Sequence, residues 1–285
     1  MIGTDIRYTS KDGLSLYAKS YGPEDADLTV LCMHGLTRNH KDFDPMIEAL
    51  AAPHRFISVD VRGRGLSDRD PNPKNYTPMT YAGDMQTLLD TLGIGRAALV
   101  GTSMGGLMSV LMARKMKGRL RGVVLNDVGP KIEPAGIARI AGYVGKGKPV
   151  DSWQAAADEV ARIQAEPFPT KTADEFMALA RRTFRETEDG RLEFDYDPAI
   201  MSAVAGVKTG WWTSFVAWRL FGALKQCPLL IVRGGISDLL SAETLTKMVK
   251  RHGNAQSVTV PNVGHAPLLD EPEAVEGIRS FLATL

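Results

Sequence analysis

Gly101-Thr102-Ser103-Met104-Gly105, preceded by Arg96-Ala97-Ala98-Leu99-Val100 and followed by Gly106-Leu107-Met108-Ser109-Val110-Leu111-Met112-Ala113, is the stretch on which the reading of this chain turns. The first flank has the composition of a buried strand and the second that of a helix, so the five residues form a strand-to-helix turn with a serine at its apex. A turn that sharp strains the backbone at Ser103, and a Cβ at either glycine would collide with the strand and helix alongside. The strain presents the hydroxyl in the open. The first N–H groups of the following helix then face the point where negative charge develops in acyl transfer. For these five residues alone a Gly/Ser surface turn is the competing reading, and it is the flanks and the downstream residues that decide against it.

A serine so placed needs a base and an acid. Val258-Thr259-Val260 reads as a short strand leading into the turn-rich loop Pro261-Asn262-Val263-Gly264-His265-Ala266-Pro267. A loop beyond a strand end can swing its ring toward the other strand ends, which makes His265 the expected general base. His54 and His252 lie in polar surroundings and are read as surface residues. The acid is sought between Ser103 and His265. Pro228-Leu229-Leu230-Ile231-Val232-Arg233 is an unbroken apolar run, as in a strand buried on both faces, and Gly234-Gly235-Ile236-Ser237-Asp238 follows it. Asp238 is therefore taken to orient the imidazole. Asp127 is the alternative acid, since Gly122-Val123-Val124-Leu125-Asn126-Asp127 also ends a strand. An ordinary helix-capping or turn aspartate is the role left for whichever of the two is not used.

Leu28-Thr29-Val30-Leu31-Cys32-Met33 is another apolar strand, running into His34-Gly35-Leu36-Thr37. Acyl transfer requires a second backbone N–H on the developing oxyanion, and Leu36 and Met104 are the candidates. His34 is read as a supporting residue at the edge of the substrate pocket rather than as a base. Phe56-Ile57-Ser58-Val59-Asp60 leads into Val61-Arg62-Gly63-Arg64-Gly65-Leu66-Ser67-Asp68. The start of a G-x-G-x-x-G appears there, but Asp68 stands at the third glycine position, so a dinucleotide loop is excluded in favour of a tight basic turn.

Taken together, Met33-His34-Gly35, Asp60 to Ser67, Gly101-Thr102-Ser103-Met104-Gly105-Gly106, Gly234-Gly235-Ile236-Ser237-Asp238 and Gly264-His265 resemble the α/β-hydrolase superfamily over most of the chain. The resemblance implies an α/β fold: a mostly parallel eight-stranded sheet, helices on both faces and an inserted helical cap. It also implies Ser103 as nucleophile, His265 as base and Asp238 as acid, with no cofactor. Serine at the nucleophile position argues against the related dehalogenases and epoxide hydrolases, which carry aspartate. Leu36-Thr37-Arg38-Asn39 departs both from the Gly-Pro-Gly turn of ring-cleavage carbon–carbon hydrolases and from the aromatic residue of haloperoxidases. The likeness is greatest to small bacterial esterases and lactonases. A carbon–carbon hydrolase, a perhydrolase or acyltransferase on the same residues, and a ligand receptor that does not turn over remain alternatives.

The remainder of the chain agrees with an ordinary globular enzyme. It has 285 residues, 44% apolar and 24% charged, ample for a large core. A formal net charge of +1 gives no reason to expect a nucleic-acid partner, and no run reaches membrane-spanning length. Cys32 and Cys227 each adjoin an apolar strand and read as buried free thiols; with no leader-like N-terminus, a cytoplasmic location is expected. The histidines and cysteines lack ligand spacing, so no metal is expected.

Residues 4–20 read as a hairpin turning at Lys11-Asp12-Gly13. Strands and helices alternate from Leu28 to Asp127 and resume at Pro228. In between the strand pattern disappears and the character is helical, best in Ala155 to Ala165 and Ala173 to Arg185. The expected organisation is a core of 1–129 and 226–285 with a helical cap at 130–225. Trp211, Phe215 and Trp218 share one helical face and are candidate pocket residues, packing of the cap onto the core being the other reading. Arg181, Arg182 and Arg185 read as a solvated helix face rather than a carboxylate clamp. The expected partner is a small ester or lactone.

Overall fold

The computed structural model describes residues 2–201 and 211–285, with side chains from 214 onward in the second stretch. The first two strands, β1 (Thr4–Thr9) and β2 (Ser15–Tyr21), pair as the antiparallel hairpin expected around Asp12-Gly13. Strands β3 (Thr29–Met33), β4 (Arg55–Asp60), β5 (Ala97–Thr102) and β6 (Leu120–Asn126) alternate with helices α1 (Asp44–Leu50), α2 (Pro78–Thr91) and α3 (Met104–Lys115). After β6 come α4 (Pro134–Tyr143), α5 (Trp153–Gln164), α6 (Ala173–Thr183), the short strands β7 (Phe184–Glu186) and β8 (Leu192–Phe194), and α7 (Trp211–Phe221). The chain then returns to the sheet with β9 (Leu229–Gly234), α8 (Ala242–His252), β10 (Ala255–Val260) and α9 (Pro272–Leu282).

The main sheet has eight strands in the order β1-β2-β4-β3-β5-β6-β9-β10, and every pairing from β4 to β10 is parallel. Period-2 alternation explains how such apolar strands divide their side chains. Leu31 and Met33 of β3 join Leu99, Val123 and Ile231 on the face covered by α2 and α3, whereas Val30 and Cys32 join Val100, Val124 and Val232 on the face covered by α1 and α9. Both Cys32 and Cys227 are buried free thiols. Helix α2 starts where Thr77 caps the Thr80 N–H and Pro78 supplies a preset φ. It turns Tyr81, Met85, Leu88 and Leu89 onto the sheet.

The stretch between β6 and β9 is not purely helical: β7 and β8 form an antiparallel ribbon stacked through Phe184 and Phe194, with ring centroids 4.2 Å apart. Strand order reverses beside β3 and β5, so their carboxyl ends open a crevice, the usual location for a ligand in an open parallel sheet.

Candidate active site

Ser103 follows β5 directly and sits at φ 50°, ψ −108°, a conformation that L-residues rarely adopt. Two glycines make that turn possible. A Cβ on Gly105 would stand 2.0 Å from the Met33 carbonyl oxygen, and one on Gly101 would stand 2.4 Å from that of Gly105. The strand, the turn and α3 are thus packed backbone to backbone.

His265 lies on the loop beyond β10, as expected, and its ring reaches Ser103: Nε2 is 2.9 Å from Oγ. Its Nδ1 is 2.8 Å from Asp127 Oδ2. Because an ionised carboxylate only accepts, Nδ1 carries the proton and Nε2 is left to accept from the serine hydroxyl. Asp127 is fully buried and also accepts from the Gly234 N–H (2.9 Å) and the Ser237 hydroxyl (2.6 Å). Its φ of 53° turns the chain sharply off β6, while its N–H remains on Val232 O at 2.8 Å.

The expectation for Asp238 is corrected by this geometry. Asp238 forms a two-point ion pair with Arg139 of α4, at 2.7 and 2.9 Å, and both nitrogens of His265 are engaged elsewhere. Burial alone would raise the Asp238 pKa, but the Arg139 guanidinium outweighs it and holds the carboxyl below its ordinary range. The alternative, Asp127, is the residue at the imidazole. Ser237, not singled out in the sequence, supports it.

Met104 opens α3, so its N–H is one of those with no acceptor inside the helix. Leu36 is held from both sides. His34 Nδ1 donates to Gly35 O at 2.6 Å and Arg64 Nε donates to Leu36 O at 2.9 Å, so the peptides before and after Leu36 are both anchored. Arg64 also lies 3.7 Å from the Met104 sulfur and stacks on Tyr81. The tight basic turn is therefore internal scaffolding, with Arg62 buried against Asp12, Asp70 and Asp84. Arg64 was legible only as part of that turn.

His34 is corrected as a pocket residue: it is fully buried, and its Nε2 accepts from the Val61 N–H at 3.1 Å. Burial pushes its pKa down to about 4.

Around Ser103 and His265 opens a cavity whose walls include Leu36, Arg38, Tyr143, Gln164 and Phe168. Ile140 and Tyr143 come from α4, and Gln164 from the end of α5, so the stretch after β6 contributes to the wall of the cavity that holds the serine. Among the described residues Phe215 and Trp218 do not line it. Phe215 is 58% exposed, and Trp218 packs on Phe221 and beneath the Arg251 guanidinium. The Trp211 side chain lies outside the described residues. Arg185 pairs with Glu193 and Arg181 covers the Trp153 ring, while Arg182 departs from a solvated face, its Nη1 being buried without a hydrogen-bond partner among the described residues. No cluster of three metal-ligating side chains occurs among the described residues.

Residues 29–272 match the family model for the α/β hydrolase fold. The 3-hydroxybutyrate-oligomer hydrolase of Cupriavidus necator is 34% identical over 280 residues, covering 95% of this chain and 94% of the relative. The 3-oxoadipate enol-lactonase 1 of Acinetobacter baylyi is 25% identical, covering 94% and 92%. A crystal structure of an α/β hydrolase from Novosphingobium aromaticivorans superimposes with a TM-score of 0.92 at 39% identity, covering 99% of each chain. The chain therefore belongs to the α/β-hydrolase fold family.

Proposed function

We propose that this protein is a serine hydrolase that cleaves small carboxylic esters or lactones through an acyl-enzyme. The observation that carries the reading is the unbroken hydrogen-bonded line from Ser103 Oγ through His265 to Asp127, at 2.9 and 2.8 Å. Ser103 Oγ attacks the carbonyl carbon as its proton passes to His265 Nε2, and the oxyanion is received by the Met104 and Leu36 N–H groups. Asp127 holds the imidazole in the Nδ1–H tautomer and stabilises the imidazolium. The proton returns from Nε2 to the leaving alkoxide as the carbonyl–oxygen bond breaks. Water, deprotonated by the same nitrogen, then attacks the acyl-enzyme and releases the acid and Ser103. The relatives named as an oligomer hydrolase of 3-hydroxybutyrate and as an enol-lactonase support an ester or lactone as substrate. Residues 130–225 act as the lid that sizes the pocket, a reading supported by Ile140, Tyr143, Gln164 and Phe168 in its wall.

The test is turnover of 4-nitrophenyl esters of graded acyl length, together with labelling by a fluorophosphonate. Wild type is expected to hydrolyse the short esters and to carry one phosphonyl group on Ser103. Ser103→Ala should lose both, with kcat down by about three orders of magnitude or more. Full activity in Ser103→Ala would remove the acyl-enzyme mechanism.

A further inference from the structure

We propose that Arg38 is the anchor for a carboxylate carried by the substrate, so that the preferred substrates are ester acids whose free carboxylate lies a few bonds from the scissile carbonyl. This rests on the serine-hydrolase reading and assigns the substrate class within it.

Position is the first argument. Gly35 lacks a side chain, and the space its Cβ would fill lies 3.7 Å from Arg38 Cγ and 4.0 Å from Ser103 Cβ. The arginine stem and the serine therefore flank the same small gap beside Leu36, and both line the cavity. A second, smaller pocket shares Thr37, Arg38, Tyr143 and Gln164 with it and continues to Thr183, so Arg38 borders both spaces.

The second argument is a count of donors. A guanidinium has five N–H groups. Asp42 takes Nε–H and one hydrogen of Nη2, and the Thr183 hydroxyl takes one hydrogen of Nη1 at 3.1 Å. One hydrogen on each terminal nitrogen is left among the described residues, so the group keeps donors for a carboxylate. The existing contacts fix the group beforehand, so little side-chain freedom is lost when a ligand arrives.

Charge is the third. Partial burial of Asp42 would by itself raise its pKa, yet the Arg38 guanidinium and then that of Arg182 bring it below the ordinary range. Among the described residues Asp42 pairs with Arg38 alone, and the nearby Arg182 keeps a buried Nη1 that none of them satisfies. A purely structural tie between Arg38 and Asp42 accounts for neither the leftover donors nor the position beside the serine.

Two pairs of isosteric esters test this: 3-acetoxypropanoate against 3-acetoxypropanamide, and monomethyl succinate against methyl succinamate. In wild type the carboxylate member of at least one pair should have the higher kcat/KM by about tenfold or more, chiefly through KM. Arg38→Gln should bring that ratio close to one, and Arg38→Lys should leave it intermediate. Ratios near one in both pairs for wild type overturn the proposal, and so does an Arg38→Gln enzyme in which both members fall together. Should Arg38→Gln fail to fold, the wild-type ratios decide, with inhibition by propanoate but not by propanamide expected alongside. Turnover that survives Ser103→Ala points instead to failure of the underlying mechanism.

Discussion

A serine at φ 50° and an aspartate at φ 53° stand at the ends of neighbouring strands, and the distance between them is bridged by one imidazole. Ser103 and His265 were legible because each is defined by its own neighbours in the chain: two obligatory glycines for one, a turn after a short strand for the other. The carboxylate beside the imidazole was not legible in that way. Asp127 and Asp238 both follow apolar strands, and local pattern does not show which of them meets the imidazole. What separates them is non-local. Arg139, about a hundred positions away in sequence, captures Asp238, while Gly234 and Ser237 supply donors to Asp127. Asp127→Asn is accordingly expected to lower kcat by about three to four orders of magnitude, since the amide supports the wrong imidazole tautomer. Asp238→Asn should cost no more than about tenfold, through a loosened α4. Steady-state kinetics on one short ester compares them, and the opposite ranking would return the role to Asp238.

At the scale of elements, β5, α3 and the adjacent β3 meet backbone to backbone. Gly105→Ala places a methyl group on the Met33 carbonyl of the adjacent strand, where no side chain can move aside. Overpacking of this kind costs about 3 kcal/mol or more when backbone must shift. Chemical denaturation should show that loss, and activity should fall with it as Ser103 is displaced. An unchanged midpoint would mean that β3 and α3 are less rigidly joined than their packing implies. Periodicity read the strands and covering helices well because their environment repeats along each element. It was less informative after β6. The spacing of Phe215 and Trp218 is helical as expected, but spacing says nothing of which neighbour a face meets, and Trp218 meets Phe221 and Arg251. The β7–β8 ribbon has three residues on each side, too short to show an alternation.

For the whole molecule, the neutral and fully buried His34 links stability to pH. Its folded pKa of about 4 lies below the ordinary 6.5, so the unfolded chain takes up a proton first as the solution is acidified. The stabilisation is complete above pH 6.5 and is lost as pH falls toward 4, amounting at the lower end to about 3 kcal/mol. Denaturation midpoints of wild type should therefore drop more steeply between pH 6.5 and 4 than those of His34→Gln. Parallel curves would show that another group carries the acid sensitivity.

One hydrogen bond joins two regions that are usually thought of as separable. Gly264 N–H, immediately before His265, donates to Pro167 O at 2.6 Å in the stretch between α5 and α6. A Cβ on Gly264 would meet that same proline at 2.7 Å. The loop that carries the imidazole is thus seated on the segment whose Gln164 and Phe168 line the cavity. Grafting that segment from a relative to change substrate preference would also reset the angle of the imidazole. On the proposed mechanism, selectivity and proton transfer are inherited together, and engineering one means re-fitting the other.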